Sequence, residues 1–174
     1  MLPLNQTVFL ALASALGLDS GDWETSFRIR QALVNPAPPP PPEDQDVVYF
    51  HLEPDHRPPL TESSARADGQ PAVLRFTPYL LQLVFYGPRA EALAWQVYDH
   101  LYLDGCMNPR RILRLNHVYP VPNPPGPSLI WEEWKTHHRP RADLTVPLRV
   151  LSQSGEPAPS AGRVDTPPEL LIDH

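Results

Sequence analysis

Five consecutive prolines, Pro38 to Pro42, stand in the stretch "NPAPPPPPEDQD", and neither a helix nor a sheet ladder can pass through them. Each proline fixes φ and removes a backbone donor. The run therefore reads as an exposed polyproline II spacer that divides the chain. An SH3-type ligand would use a similar run, but the flanking Arg of such ligands is missing. The constraint recurs along the whole chain. Twenty-five of 174 residues are proline, nearly three times ordinary usage, so elements must be short and joined by stiff, extended loops. Hydrophobic residues make up 41%, enough for one core of ordinary domain size.

Upstream of the spacer, "MLPLNQTVFLALASALGLDSG" resembles a signal peptide in its apolar run. It lacks a basic n-region, and Phe9, Leu12, Ala13 and Leu16 follow helical spacing, so it reads as an amphipathic helix. Asn5 is the candidate N-cap and Gly17 the C-terminal stop. After a polar turn, "SFRIRQALV" alternates as a short strand with one wet face. Downstream, "DVVYFHL" is a strand by its β-branched and aromatic content. Glu53 to Gln70 reads as a polar loop of functional length. Val73 to Tyr86 is a long strand in which Pro78 calls for an edge position or a bulge. Its late part is apolar on both faces, which places it centrally under a helix.

"GPRAEALAWQVYDHLYLDG" is the clearest helix. Pro88 suits the first turn, Gly105 the stop, and Ala90, Leu93, Ala94, Val97 and Leu101 the buried stripe. "RRILRLNHVYPV" reads as a strand and "PNPPGP" as a rigid loop, while "SLIWEEWK" is ambiguous. "ADLTVPLRVL" is a final strand, apolar at Ala142, Leu144, Val146, Leu148 and Val150. The predicted fold is α+β, with one mixed or antiparallel sheet of about four to five strands. Two helices pack on one face, with extended loops and a C-terminal arm. The domain spans 1–151, and 152–174 is a Pro-rich, acidic tail that orders only on binding. Within that tail "PELLID" is a docking peptide candidate.

A single cysteine, Cys106, excludes an internal disulfide framework and a Cys-rich zinc module. No run approaches eighteen apolar residues, so no transmembrane span is expected. His137 and His138 are adjacent, point to opposite faces of a strand, and with His117 lack the ligand spacing of zinc sites. They read as structural or surface histidines, and no metal or cofactor is expected. No G-x-S-x-G, phosphate-cradling glycine loop or H-E-x-x-H occurs, and no catalytic residue is assigned.

Charge is uneven. Residues 105–150 carry seven basic and three acidic side chains, so a chain of net charge −6 holds +4 there and −10 elsewhere. Arg110, Arg111, Arg114, Lys135, Arg139 and Arg141 are interleaved with Tyr119, Trp131 and Trp134. Such a face suits nucleic acid. It equally suits an acidic patch on another copy of the chain.

Three stretches carry a resemblance: "FRIRQALVNPAPPPPP…DVVYFHL", "VFYGPRAEALAWQVYDHL" and "EEWKTHHRPRADLTVPLRV". In order and local pattern they resemble the neck or tail terminator proteins of tailed bacteriophages, over roughly residues 5–151. The five-proline run and the tail after Ser152 depart from that pattern. The resemblance implies a virion structural protein assembled in the host cytoplasm, without catalysis. It implies a homo-oligomeric ring, commonly of six copies, that caps the tail tube and meets the head-completion (connector) proteins. DNA would pass through the lumen without specific binding, and no membrane is involved. The loops at Glu53–Gln70 and "PNPPGP" would reach neighbours. Candidate interface residues are Trp131, Trp134, Lys135, Arg139, Arg141, Asp143, Arg110 and Arg111. The alternatives from other classes are a nucleic-acid-binding accessory protein using the basic 110–141 face and a small metal-dependent hydrolase.

Overall fold

The computed structural model describes residues 2–18, 29–32, 44–65, 71–103, 107–134 and 137–154; residues 63–65, 71, 72, 107, 134, 137, 153 and 154 are described by backbone alone. The five-proline run, the turn after Leu18, Gly105 and Cys106, Lys135 and the tail beyond Ser154 lie outside the described residues. The elements in order are α1 (Leu4–Leu16), β1 (Ile29–Gln31), β2 (Val47–Pro54), β3 (Leu60–Ala65), β4 (Pro71–Tyr86) and α2 (Ala90–Tyr102). There follow α3 (Met107–Leu115), β5 (Val118–Pro120), β6 (Ser128–Trp134) and β7 (His137–Ser154).

The fold is α+β, with one mixed sheet of seven strands and three helices. Its axis is the antiparallel pair β4–β7, in register from Val73↔Ser154 to Tyr86↔Arg141. Each of these long strands carries two shorter partners end to end on its other side. β2 and β3 pair with β4, and β6 and β5 pair with β7, all antiparallel. β1 extends the sheet in parallel beside β2. The count exceeds four to five because β3, β5 and β6 are short or exposed, and their described side chains show no alternation of buried and wet residues.

This arrangement also accounts for Pro78, which the sequence assigned to an edge or a bulge. It sits inside the central strand, yet at the joint between two ladders, since β2 ends at Pro54↔Tyr79 and β3 begins at Leu60↔Phe76. Its carbonyl turns to that side and accepts from Asp55 N–H at 3.0 Å. The missing N–H therefore faces a place where no ladder bond is needed. Pro147 repeats the device on β7, past the end of β5, where its carbonyl accepts from Val121 N–H at 2.8 Å. Prolines here mark ladder ends, and so a proline-rich chain can still hold two strands of 16 and 18 residues.

Strand parity places the core. Val48 and Phe50 of β2, Leu81, Leu83 and Phe85 of β4, and Ala142, Leu144, Val146 and Leu148 of β7 are all buried on one face. Ala90, Ala94, Val97 and Leu101 of α2 join them in one cluster, as the predicted stripe requires, except that Leu93 is only half-buried. Helix α1 stops at Gly17 as expected: φ is 66°, and Leu18 N–H donates to Ala13 O at 2.9 Å. Its start differs. Pro3 occupies the cap position with no side-chain cap, and Asn5 lies within the helix. Burial reaches further round α1 than one stripe, taking in Thr7, Val8, Phe9, Ala11, Leu12, Ala13 and Ala15, because α1 packs against both α2 and α3.

Two readings are corrected. "RRILRLNHVYPV" is not one strand; Met107–Leu115 is helical, and only Val118–Pro120 pairs in the sheet. The Arg-rich segment is made of good helix formers, and Leu113 anchors it at 3% exposure. Asn116 Nδ2 donating to Ile112 O at 3.0 Å and His117 at φ 59° then end it. Glu53–Gln70 is not a continuous loop, because β2 runs to Pro54 and Leu60–Ala65 forms β3. Residues 60–62 are exposed, so no burial pattern betrayed the strand. The last strand also continues three residues past position 151.

Tyr102 is half-buried, but its hydroxyl is buried and has no hydrogen-bond partner among the described residues. Burial raises its pKa far above the ordinary 10.0, with a smaller contribution from Tyr98. The unfolded chain therefore ionises first as pH rises past 10, and stability present below that pH is lost above it. Tyr102→Phe removes an unpartnered buried hydroxyl. It should raise stability by about 1 kcal/mol at neutral pH and flatten the alkaline decline, read as melting temperature against pH.

Candidate interface at the edge strand

"SLIWEEW" forms β6 because the facing segment of β7 supplies a ladder for it, from Ser128↔Asp143 to Trp134↔His137. Among the described residues β6 pairs only with β7, which leaves its outer backbone groups as the edge of the sheet. That edge is apolar. Leu129 is 45%, Ile130 39% and Trp131 64% exposed. Soluble chains usually blunt such an edge with charge, proline or a bulge, since it templates further pairing.

Register assigns the side chains to faces. Leu129 and Trp131 share the face that bears the helices, while Ile130 and Glu132 lie on the open face opposite Arg141 and Arg139. On the open face Arg141 grips Asp143 with two parallel bonds of 2.7 Å, Nε to Oδ1 and Nη2 to Oδ2, and reaches Glu132 at 3.4 Å. The Asp143 carboxylate holds the guanidinium above its ordinary pKa. Arg139, only 5% exposed, stacks 4.8 Å above the Tyr86 ring, and Arg141 lies 5.9 Å from the same ring. Tyr86 meets Tyr49 edge-on at 6.0 Å, and burial raises its phenol pKa. Both arginines are thus tied into the sheet's own surface. Because the Arg141 side chain keeps 26% exposure, water screens the pair. Asp143→Asn should cost about 1 kcal/mol, with the loss shrinking in high salt, as urea melts at two ionic strengths would show.

The structure therefore brings together Arg139, Arg141 and Asp143, with Trp131 across the sheet from them. Trp134 is the last β6 residue, paired with His137 in the backbone. Lys135 is outside the described residues. Arg110 and Arg111 are elsewhere, on α3 in the helical layer, where Arg110 is half-buried and Arg111 exposed. The basic 110–141 stretch is divided between two layers and is not one strand face. The "PNPPGP" loop folds onto α2: Pro124 is buried, and its carbonyl accepts from Tyr98 Oη at 3.3 Å.

Sequence reasoning did not pick out Tyr86, Tyr49, Leu129, Ile130 or Glu132. The available signal was the apolar run Leu129–Ile130–Trp131 within "SLIWEEW", which reads as an edge only once β7 is known to lie beside it. Among the described residues no three His, Cys, Asp or Glu side chains gather to hold a metal, and no helix is long and apolar enough to cross a membrane. No protein-family model matches the chain, and no curated protein matches it at a significant level.

Proposed function

We propose that the chain is a structural subunit of a tailed-bacteriophage neck, a tail terminator. Its copies would close into a ring on the end of the tail tube and join it to the head-completion proteins. The observation that supports this best is the exposed apolar edge strand β6, with Leu129 and Trp131 open to solvent on one face and Ile130 on the other. A ring needs a heterologous contact, in which one patch meets a different patch on the next copy, and an unpaired apolar edge serves one side of it. The charge division, +4 over 105–150 against −10 elsewhere, supplies complementarity for such head-to-tail contacts. The role is mechanical, without catalysis, cofactor or membrane. DNA would pass the lumen without specific contacts, in keeping with an acidic chain.

The nucleic-acid reading draws on the same arginines, but Arg139 and Arg141 are engaged by Tyr86, Asp143 and Glu132, which leaves fewer cations for phosphates. Mass measurement across concentrations, followed by reconstruction of assembled particle necks, tests the proposal. Closed rings of this chain at the tube end are the expected result. A strict monomer at high concentration that binds DNA in a salt-sensitive way, and is missing from the neck, would overturn it.

A further inference from the structure

A second feature lies at the other end of the sheet and plays no part in the β6 edge. Between the β2–β3 connection and the β5 end of β7 is a groove of about 250 Å³, walled by Pro58, Leu60, Phe76, Pro78 and Val121, with Arg57 and Arg149 at its rim. Leu60 is 48% exposed, which leaves apolar surface open to water inside a basic frame. The volume falls below that of ordinary small-molecule pockets and suits one or two branched aliphatic side chains. The prolines bring no N–H groups, so an occupant would be held by apolar fit, by charge and by its own amides donating to the groove's carbonyls, the bonds that slow their exchange. Arg57 already holds Asp55, through Nε at 2.6 Å and Nη2 at 2.5 Å, so Arg149 is the cation an occupant would meet first. Arg149 is exposed and faces outward beside Pro78, its register partner.

We infer that this groove binds the chain's own segment Glu169–Asp173, "ELLID", in an intramolecular contact. Leu170, Leu171 and Ile172 match the apolar walls, and Glu169 and Asp173 match the two arginines in charge and in flanking position. Reach is sufficient. β7 ends at Ser154, five residues beyond Arg149 along the strand, or about 17 Å. The fourteen residues from Gly155 to Pro168 span up to about 45 Å when extended, well over the distance back to the groove. Tethering raises the effective concentration of the segment to roughly millimolar, so its own groove fills ahead of a neighbour's.

Hydrogen–deuterium exchange on the full chain tests this. Amides of residues 170–172 should exchange at least about tenfold more slowly than free-peptide rates, equivalent to about 1.4 kcal/mol of docking. Arg149→Glu and, separately, Leu171→Asp should each abolish that protection. Arg149→Glu combined with either Glu169→Arg or Asp173→Arg should restore it in the one combination that returns opposite charge to position 149 and leaves an acid for Arg57. Melting temperature should fall by no more than about 3–6 °C, the docking contribution itself, and a larger fall would mark lost fold. Free-peptide exchange in the unaltered chain would overturn the inference, as would protection indifferent to Arg149→Glu. Protection that disappears on dilution would also overturn it, by showing that a second copy is the occupant.

Discussion

Gly87→Ala is expected to lower the stability of the fold by about 4 kcal/mol, the sum of backbone strain and overpacking. Gly87 is buried between β4 and α2 with φ at +112°, a conformation L-residues rarely adopt. A Cβ there would stand 2.7 Å from Asp46 Cα, from Asp46 Oδ1 and from Gln45 O. Two of those atoms are backbone, and they have little freedom to retreat. Asp46 precedes β2, whose first ladder pair is Val47↔Tyr86. Its carboxylate accepts Arg89 N–H at 3.0 Å and Arg89 Nε at 2.7 Å, shaping the turn into α2. A methyl group would therefore press on the sheet register and on the helix start together. At about 2–4 °C per kcal/mol for a chain of this size, melting should fall by roughly 8–16 °C. Gly17→Ala is the control. It has positive φ, but no described atom lies within 4 Å of the added carbon, so it should cost only about 1 kcal/mol. Equal losses in the two variants would show that the contact with Asp46 has no effect.

Gly87 also illustrates which parts of the fold were legible. The sequence marked a turn there, since a strand of β-branched and aromatic residues meets a helix beginning near Pro88. The strands β2, β4 and β7 and the helix α2 declared themselves through burial periodicity, and their buried residues are those the alternation named, such as Leu144, Val146 and Leu148. Where burial is absent, the signal fails. β3 is exposed at residues 60–62, and β6 is apolar yet wet, so both are held by ladder bonds to neighbouring strands. The error at α3 has a different origin. A nine-residue helix buried only at Pro109 and Leu113 among its described side chains has the same short apolar–basic pattern as a half-wet strand, and only its packing on α1 and β5 decides between them. Of the candidate site, chemistry was legible but geometry was not. The Trp and Arg residues were chosen as one patch, whereas register sends Trp131 to one face of the sheet and Arg139 and Arg141 to the other.

That division sets the sharpest test of the assembly proposal, because the two faces should respond differently. Trp131→Lys is expected to abolish ring formation while leaving the fold intact. At 64% exposure the indole contributes little to the monomer, and a surface change of this kind moves stability by about 0.5 kcal/mol or less. In a contact along the β6 edge, however, an aromatic anchor is worth about 2 kcal/mol or more, roughly thirtyfold in affinity per contact. A lysine on the edge adds a charge that opposes strand pairing. A closed ring has as many contacts as copies, so the loss repeats at every one and the assembly should not close. Arg139→Ala should do the reverse: it removes a 5%-exposed side chain stacked on Tyr86, and the first consequence is a lower melting temperature. Native mass measurement and thermal melts on the two variants, beside the unaltered chain, separate the cases. If Trp131→Lys keeps the oligomeric mass of the unaltered chain, the β6 edge is not the contact. If it melts several degrees lower, Trp131 supports the fold itself.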